Sequence, residues 1–342
     1  MEQPRVTLAT IEAQITEWLR GQTGANNEVL IAEMLRTVLK LGVEETSRGD
    51  LKILNRALKE LRYAFKVFAP YSSVRKVSIF GSTHIHEDDP YYRLARELGQ
   101  RLVQEGYMVI TGAGPGIMQA GHEGAGRAMS FGVNIRLPAV QQANRFIQDD
   151  AKLMSFHFFF TRKLMFVKEA DAVVIFPGGF GTHDELTEAL TLAQTGKSQI
   201  VPVVLVDTPG RVYWTQWEKF LREAMLSRGY IGPGEFSFFK IVDNVDAVIQ
   251  EIRGFYRNFH SYRFVKQDLV IRLNYPPSPD LIHHLNENFA DLLTDGRIRQ
   301  TEPLTDELDD PSTLHLHRLL VPFKREEFAR LRQMIDAINQ EN

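Results

Sequence analysis

The sequence has no cysteine, no strong net charge and no long hydrophobic run. Without cysteine, its 342 residues cannot form disulfides, thiolate metal sites or a catalytic thiol. A formal net charge of −3 provides no overall basic field, so we expect no nucleic-acid partner. No run approaches the roughly 18 apolar residues that a membrane span requires, and the first ten residues lack a signal-peptide pattern. We therefore expect a cytoplasmic protein with no membrane partner.

The residues that are present, 44% hydrophobic and 24% charged, are sufficient for a full core and fall into three patterns. Apolar residues at helical spacing predict a helical extension over residues 1–73. Over residues 74–255, short apolar strands alternate with amphipathic helices, which predicts a Rossmann-like α/β domain with a doubly wound parallel sheet. Residues 256–342 have the pattern of a small α+β accessory module, and the aromatic-basic stretch before its first predicted strand reads as a junction.

Three glycine turns follow predicted strands of the α/β domain. Because the carboxyl ends of parallel strands meet at one edge of a sheet, we expect the three turns to converge on one crevice. The residues predicted to line it from the first two turns are Gly81, Ser82, Gly112, Gly114, Gly116 and Met118. A dinucleotide fingerprint fits the second turn poorly, since Ile117 stands where the third glycine belongs.

The third turn, in the sequence DAVVIFPGGFGTHDE, is the most informative. Ala172 to Phe176 form an apolar run typical of a strand buried on both faces. The glycines that follow allow a sharp turn, and a helix pattern opens at Thr182, so free N–H groups at the helix start would attract an anion. The predicted phosphate-binding residues are Gly178, Gly179, Gly181 and Thr182. No lysine follows the last glycine, so this is not a Walker loop.

Charged residues near this turn admit two interpretations each. Glu185 stands three residues after Thr182, which suits a capping box as well as it suits catalysis. The Arg162–Lys163 pair opens a predicted helix, against the preference of the helix dipole, and could clamp phosphate or ribose or simply face solvent.

The histidine pairs at 84 and 86 and at 315 and 317 lack cysteine or carboxylate partners, so we expect no metal site. Five acids between 302 and 310 are predicted to form a solvated surface loop.

These residues resemble the LOG (Lonely guy) family, whose signature is an Arg-Lys pair on a helix followed by PGGxGTxxE. Here those positions are Arg162–Lys163 and Pro177 to Glu185, and the glycine turns at 81 and 112–116 also look like the family's N-terminal half. The resemblance covers roughly residues 74–255. It implies a phosphoribohydrolase that cleaves a nucleoside 5′-monophosphate, such as AMP or a cytokinin riboside monophosphate, into free base and ribose 5-phosphate.

The resemblance also implies roles for individual residues. Glu185 would stabilise the positive charge that develops on the ribose, and Arg162 would hold the ribose or phosphate and keep Glu185 ionised. Lys163 joins the proposed phosphate-binding residues. No cofactor is expected; members were long labelled lysine decarboxylases, but nothing here marks a pyridoxal-phosphate lysine.

Two expectations concern partners. The resemblance implies a homodimer or higher even oligomer, with contacts expected from residues 156–160 and the helix that follows. The alternative function is a non-catalytic carrier of a nucleotide or of molybdenum cofactor with the same fold, because a fold does not fix a function.

Overall fold

The computed structural model describes residues 8–19, 25–137 and 142–340, and the chain divides into two compact units, residues 1–63 and 64–342. The first unit is helical, with α1 (Leu8–Leu19), α2 (Ala25–Val43) and the start of α3 (Arg48–Phe68). Residues 1–7, whose sequence was weighed as a signal peptide, lie outside the described part. The three-part domain division stays a prediction.

The second unit is built on a seven-stranded parallel sheet. Its strands are β1 (Lys76–Phe80), β2 (Met108–Thr111), β3 (Ser130–Ile135), β4 (Leu153–Phe156), β5 (Ala172–Ile175), β6 (Val203–Val206) and β7 (Phe239–Val242). They lie in the order β4-β3-β2-β1-β5-β6-β7. Every residue of β1, β2, β5 and β6 is buried, as expected for short apolar strands covered on both faces. The predicted doubly wound α/β fold is confirmed.

Helices connect and cover these strands: α4 (Pro90–Gln104), α5 (Ile117–Ala125), α6 (Phe159–Lys168), α7 (Phe180–Gln194), α8 (Tyr213–Phe220) and α9 (Val245–Phe255). Local sequence explains two of the starts. The Asp89 carboxylate accepts a hydrogen bond from the Tyr91 N–H and Pro90 occupies the first turn of α4, while the Asn244 side chain caps α9. None of the helices in the described ranges combines the length and hydrophobicity needed to cross a membrane.

The strand order reverses between β1 and β5. From β1 the chain runs outward through β2 and β3 to β4, then returns to place β5 on the other side of β1. In open α/β sheets, ligands bind at the carboxyl ends of the strands at such a reversal. The first and third glycine turns follow these two strands, so the topology brings them together.

A four-stranded antiparallel sheet follows, formed by β8 (Phe259–Val265), β9 (Asp268–Leu273), β10 (Arg299–Gln300) and β11 (His317–Val321) in the order β10-β11-β9-β8. Helices α10 (Pro279–Asn288) and α11 (Phe328–Gln340) accompany it. The aromatic-basic stretch interpreted as a junction runs into strand β8, in which every third residue, Phe259, Tyr262 and Val265, is buried while those between are half-buried.

The prediction of a solvated acidic loop at 302–310 is confirmed for Glu302, Asp306 and Asp309, which are exposed, but it is wrong for Glu307. Glu307 is fully buried and bonds to Arg272 and Arg318, which project from β9 and β11. Arg272 lies well before this loop in the sequence, and Arg318 lies beyond it. Only the folded sheet brings both arginines to the same carboxylate.

Candidate active site

A pocket of about 310 Å³ opens at the carboxyl ends of β1, β2 and β5. It contains most of the residues that the sequence predicted for the site. Those that line it are Gly81, Ser82, Gly112, Met118, Arg162, Gly179, Gly181, Thr182 and Glu185. The three glycine turns therefore converge on one crevice, as expected from their positions after parallel strands.

Gly114, Gly116, Gly178 and Lys163 are absent from the lining. Gly116 lies behind the pocket lining. Its φ of +67° suits glycine, and a Cβ there would collide with the Ser82 carbonyl. The same carbonyl accepts a hydrogen bond from the Ile117 N–H at 3.1 Å. Gly116 thus lets α5 start directly against the turn that follows β1.

The start of α7, where an anion is predicted to bind, forms one edge of the pocket. This helix begins at Phe180, with Gly179 as its N-cap, two residues earlier than the sequence pattern predicted. Thr182 and Glu185 therefore lie inside the helix, and the capping-box interpretation is wrong. The first N–H groups of α7 lack an intrahelical partner and adjoin the lining residues Gly179, Gly181 and Thr182.

Hydrogen bonds fix the turns after β1 and β5 relative to each other. The Ser82 N–H donates to the Pro177 carbonyl at 3.0 Å. Tyr213, at the start of α8, donates its hydroxyl to the Gly178 carbonyl and accepts from the His183 ring at 2.8 Å. This edge of the pocket is therefore already shaped, and a ligand would not have to order it.

Arg162 and Glu185 face each other across the pocket. The Arg162 Nε donates to the Val133 carbonyl at 2.8 Å, and its Nη1 lies 3.9 Å from Glu185 Oε1. Their side chains are only 11% and 8% exposed. The approach needs a glycine at 112, because a Cβ there would collide with the Arg162 guanidinium and lie 2.7 Å from the Met118 sulfur.

Arg162 acts in the direction of the expectation that it keeps the Glu185 carboxyl ionised, but burial opposes it. Burial raises the pKa of Glu185 to about 7, although Lys163 and Arg162 both lower it. Within the described part of the chain, the carboxylate accepts no hydrogen bond, and the charges of Lys163 and Arg162 alone do not offset the loss of water around it. A carboxyl group with a pKa near neutral pH can both hold and release a proton under working conditions.

Lys163 does not face the pocket. Its ammonium group pairs with Asp184 at 2.9 Å and Glu188 at 2.5 Å, and so joins α6 to α7. Lys163 therefore lowers the pKa of Glu185 through its charge but does not line the pocket. Its predicted contact with phosphate stays a prediction.

Some lining residues were not foreseen from the sequence: Thr83, His84, Ile135, Leu137, Phe159 and Asp184. No motif marks them, although Thr83 and His84 directly follow the first turn and Asp184 precedes Glu185. Phe159 and Phe160 are more than half exposed, whereas Phe156 is buried in β4. Oligomer formation through this region stays a prediction. In the described ranges, no three His, Asp or Glu side chains are grouped to hold a metal ion.

Comparison with known proteins gives a consistent family. Residues 115–252 match the family model described as "Possible lysine decarboxylase". The chain is 30% identical over 167 residues to a rice protein named probable cytokinin riboside 5′-monophosphate phosphoribohydrolase LOGL5, covering 47% of this chain and 65% of that protein. The predicted resemblance to the LOG family is confirmed.

Other LOG relatives extend the match. An Arabidopsis thaliana protein named cytokinin riboside 5′-monophosphate phosphoribohydrolase LOG7 is 24% identical, with 61% of this chain and 96% of that protein covered. A Mycobacterium tuberculosis protein with the same activity in its name is 28% identical, with 44% of this chain and 80% of that protein covered. The match therefore spans less than two thirds of the rice protein but most of the other two.

Among solved structures, the molybdenum cofactor binding protein of Rippkaea orientalis is similar with 20% identity and a TM-score of 0.38. The match covers 53% of this chain and 96% of that protein. The molybdenum cofactor carrier protein of Chlamydomonas reinhardtii gives the same identity and coverage with a TM-score of 0.37. Similarity at this level supports no functional argument.

Proposed function

We propose that the protein hydrolyses the N-glycosidic bond of nucleoside 5′-monophosphates to free base and ribose 5-phosphate. The observation that carries the proposal is the Glu185 carboxyl group, which lies 3.9 Å from Arg162 in one pocket with the start of α7 and accepts no hydrogen bond from the described residues. Burial raises its pKa to about 7. The LOG relatives that match this domain are named as enzymes of this reaction.

The geometry suggests how substrate would be held. The 5′-phosphate would accept hydrogen bonds from the N–H groups around Gly179 and Gly181 and gain from the α7 dipole. Binding energy at this remote group can hold the ribose in place for reaction. The ribose would then lie toward Glu185, which is on the second turn of the same helix.

The chemistry follows from that placement. As the bond from C1′ to the base nitrogen breaks, its electron pair leaves with the base and positive charge develops on the ribose. Ionised Glu185 would stabilise this charge and take a proton from the attacking water, whose oxygen bonds to C1′. The departing base gains a proton, so one water is consumed. Arg162 would hold Glu185 and the ribose in register.

The test is a base-release assay on AMP, GMP, CMP, UMP and isopentenyl-AMP, with wild-type protein and the Glu185→Gln variant. We expect wild-type protein to release free base from at least one nucleotide and Glu185→Gln to lose at least about 100-fold in kcat, within the range for general acid–base groups. A matched control is Glu97→Gln, which changes an exposed glutamate on α4.

Each other outcome has a distinct meaning. A fully active Glu185→Gln variant would remove Glu185 from the mechanism. If wild-type protein binds a nucleotide with micromolar affinity but releases no base, the carrier function is correct instead. Cleavage of isopentenyl-AMP in preference to AMP would extend the cytokinin specificity of the named relatives to this protein.

A homodimer is also proposed, with Phe159 and Phe160 at its contact, because two exposed phenylalanines on one helix start are an unusual surface for a monomer. Light scattering on wild-type protein and a Phe159→Ser, Phe160→Ser double variant tests this. A wild-type mass equal to one chain would refute it.

A further inference from the structure

The turn that carries Gly112 has an unfavourable backbone conformation that hydrogen bonds from other residues must stabilise. Ala113 has a φ of +61°, which is unfavourable for a residue with a side chain. The turn also has to keep Gly112 against the Arg162 guanidinium, since that contact leaves no space for a Cβ. Any shift of this turn would therefore move Arg162, which faces Glu185.

Asn144, between β3 and β4, holds the turn through its backbone and its side chain. Its N–H donates to the Ala113 carbonyl at 2.8 Å, and its Nδ2 donates to the Gly114 carbonyl at 3.0 Å. Its Oδ1 accepts from the Phe146 N–H at 3.2 Å. A carbonyl can only accept and an N–H can only donate, so these two partners fix the orientation of the amide.

His122 on α5 in turn holds Asn144. Its Nε2 lies 3.0 Å from both the Phe131 carbonyl and the Thr111 hydroxyl. Because the carbonyl can only accept, this nitrogen carries the proton, and the lone pair of Nδ1 accepts from Asn144 Nδ2 at 3.2 Å. His122 is fully buried, and burial lowers its pKa to about 4, outweighing the hydrogen bonds to Phe131 and Asn144. No charged group contributes to this shift. At neutral pH the ring is uncharged.

We propose that His122 and Asn144 are positioning residues of the active site: neutral His122 orients the Asn144 amide, and Asn144 fixes the 112–116 turn so that Arg162 lies against Glu185. Neither residue lines the pocket. This inference rests on the proposed nucleotide hydrolysis, but it concerns residues outside the LOG signature.

The test compares variants at Asn144 and His122 that differ in the hydrogen bonds that their side chains can form. Asn144→Asp removes the donor to the Gly114 carbonyl and places a carboxylate beside His122 Nδ1, which draws a proton onto the ring. We expect kcat for AMP to fall at least tenfold with KM changed less than threefold, and an NMR titration to show that His122 now protonates more than two pH units higher. His122→Gln keeps both a donor and an acceptor and should retain at least a third of wild-type kcat, whereas His122→Leu should lose as much as Asn144→Asp.

The control is Asn339→Asp in α11. Asn339 is equally buried and also bridges backbone groups: its Nδ2 donates to the Phe255 carbonyl, a bond that the Asp variant loses, and its Oδ1 accepts from the Asn258 and Phe259 N–H groups. It should lower the unfolding midpoint and leave kcat of the folded fraction unchanged. The positioning role is refuted if Asn144→Asp stays within twofold of wild type, if His122→Gln and His122→Leu are equally impaired, or if Asn339→Asp loses as much kcat.

Failure of the proposed function is distinguishable from failure of this inference. If wild-type protein cleaves no nucleotide, the hydrolase proposal fails, and positioning is measured by AMP binding in calorimetry instead. The same variants should then weaken binding at least tenfold, with His122→Gln again spared. Should Asn144→Asp fail to fold, the His122→Gln and His122→Leu pair decides the matter alone.

Discussion

Glu185 and Glu307 are both buried and both face arginine, but their pKa values are shifted in opposite directions. In the antiparallel module, Glu307 accepts hydrogen bonds from Arg272 Nε at 2.9 Å, Arg318 Nε at 3.0 Å and the Leu304 N–H at 3.2 Å. Burial alone would raise its pKa, but these bonds outweigh burial and lower it. Among the described residues, Glu185 has no such donor: Arg162 lies 3.9 Å away and Lys163 acts through its charge, so burial prevails.

The difference lies in hydrogen bonds rather than in charge. Both carboxylates have a cationic neighbour and little exposure, yet only Glu307 has donors aimed at both of its oxygens. A carboxylate that the protein solvates completely is fixed in its ionised form and serves stability. A carboxylate left unsolvated is destabilising when ionised, and such a group suits a site where substrate, water or developing positive charge completes its surroundings.

The largest expected effect is on the solvated glutamate. Glu307→Gln leaves the buried Arg318 guanidinium without its counter-ion and leaves Arg272 with Asp310, 3.5 Å away, so we expect a loss of about 3–5 kcal/mol in the free energy of unfolding, measured by urea denaturation. Activity of the molecules that remain folded should not change. Asp309→Asn, which removes an exposed partner of Arg263, should leave the midpoint where it is. Equal midpoints for all three proteins would contradict the proposed role of Glu307.

The unsolvated glutamate should behave in the opposite way. Its native pKa lies above its unfolded value, so the native state binds the proton more tightly and the Glu185 contribution to stability falls as pH rises from about 4.5 to about 7. Glu185→Gln should therefore stabilise the protein by about 3 kcal/mol at pH 8 and by almost nothing at pH 4.5. A destabilised variant at pH 8 would show that Glu185 has donors like those of Glu307.

Glu307 gives the reverse pH dependence. Its native pKa lies below its unfolded value, so its contribution is present above about pH 4.5 and is lost as pH falls through the native pKa. Urea midpoints of Glu307→Gln and wild type should converge in acid. This pair of curves separates the two carboxylates in one experiment.

The smallest expected effect is on the pH profile. Of the neighbouring charges, Lys163 lowers the pKa of Glu185 most, so Lys163→Met should raise that pKa further and shift the acid limb of kcat/KM for AMP to higher pH. Lys168→Met removes a lysine from the same helix that pairs with Glu169 instead, and should leave the profile unchanged. An unshifted limb in Lys163→Met would mean that its charge does not reach Glu185.

The sequence predicted the site well where local patterns determine structure. The apolar run before Pro177 and the glycines after it correctly placed β5, the turn and a following helix, because burial on both faces and backbone freedom both leave a mark in sequence. The convergence of the turns also followed, since parallel topology sets it.

Properties that depend on distant residues were not predictable. Glu307 was expected in a solvated loop because nothing nearby in sequence shows that Arg272 would reach it across the sheet. The ionisation of Glu185 was misjudged because the sequence shows its charged neighbours but not its depth. Strands β4 and β7 were missed, since each is a short edge strand that is only partly buried.

The most direct test of the central claim is a carbon-13 NMR titration of the Glu185 carboxyl group, with its signal assigned by its disappearance in Glu185→Gln. We expect the Glu185 carboxyl group of the free protein to titrate with a midpoint near pH 7. A midpoint near the ordinary glutamate value of about 4.3 would contradict it, because the carboxylate would then be solvated and the distinction from Glu307 would not exist.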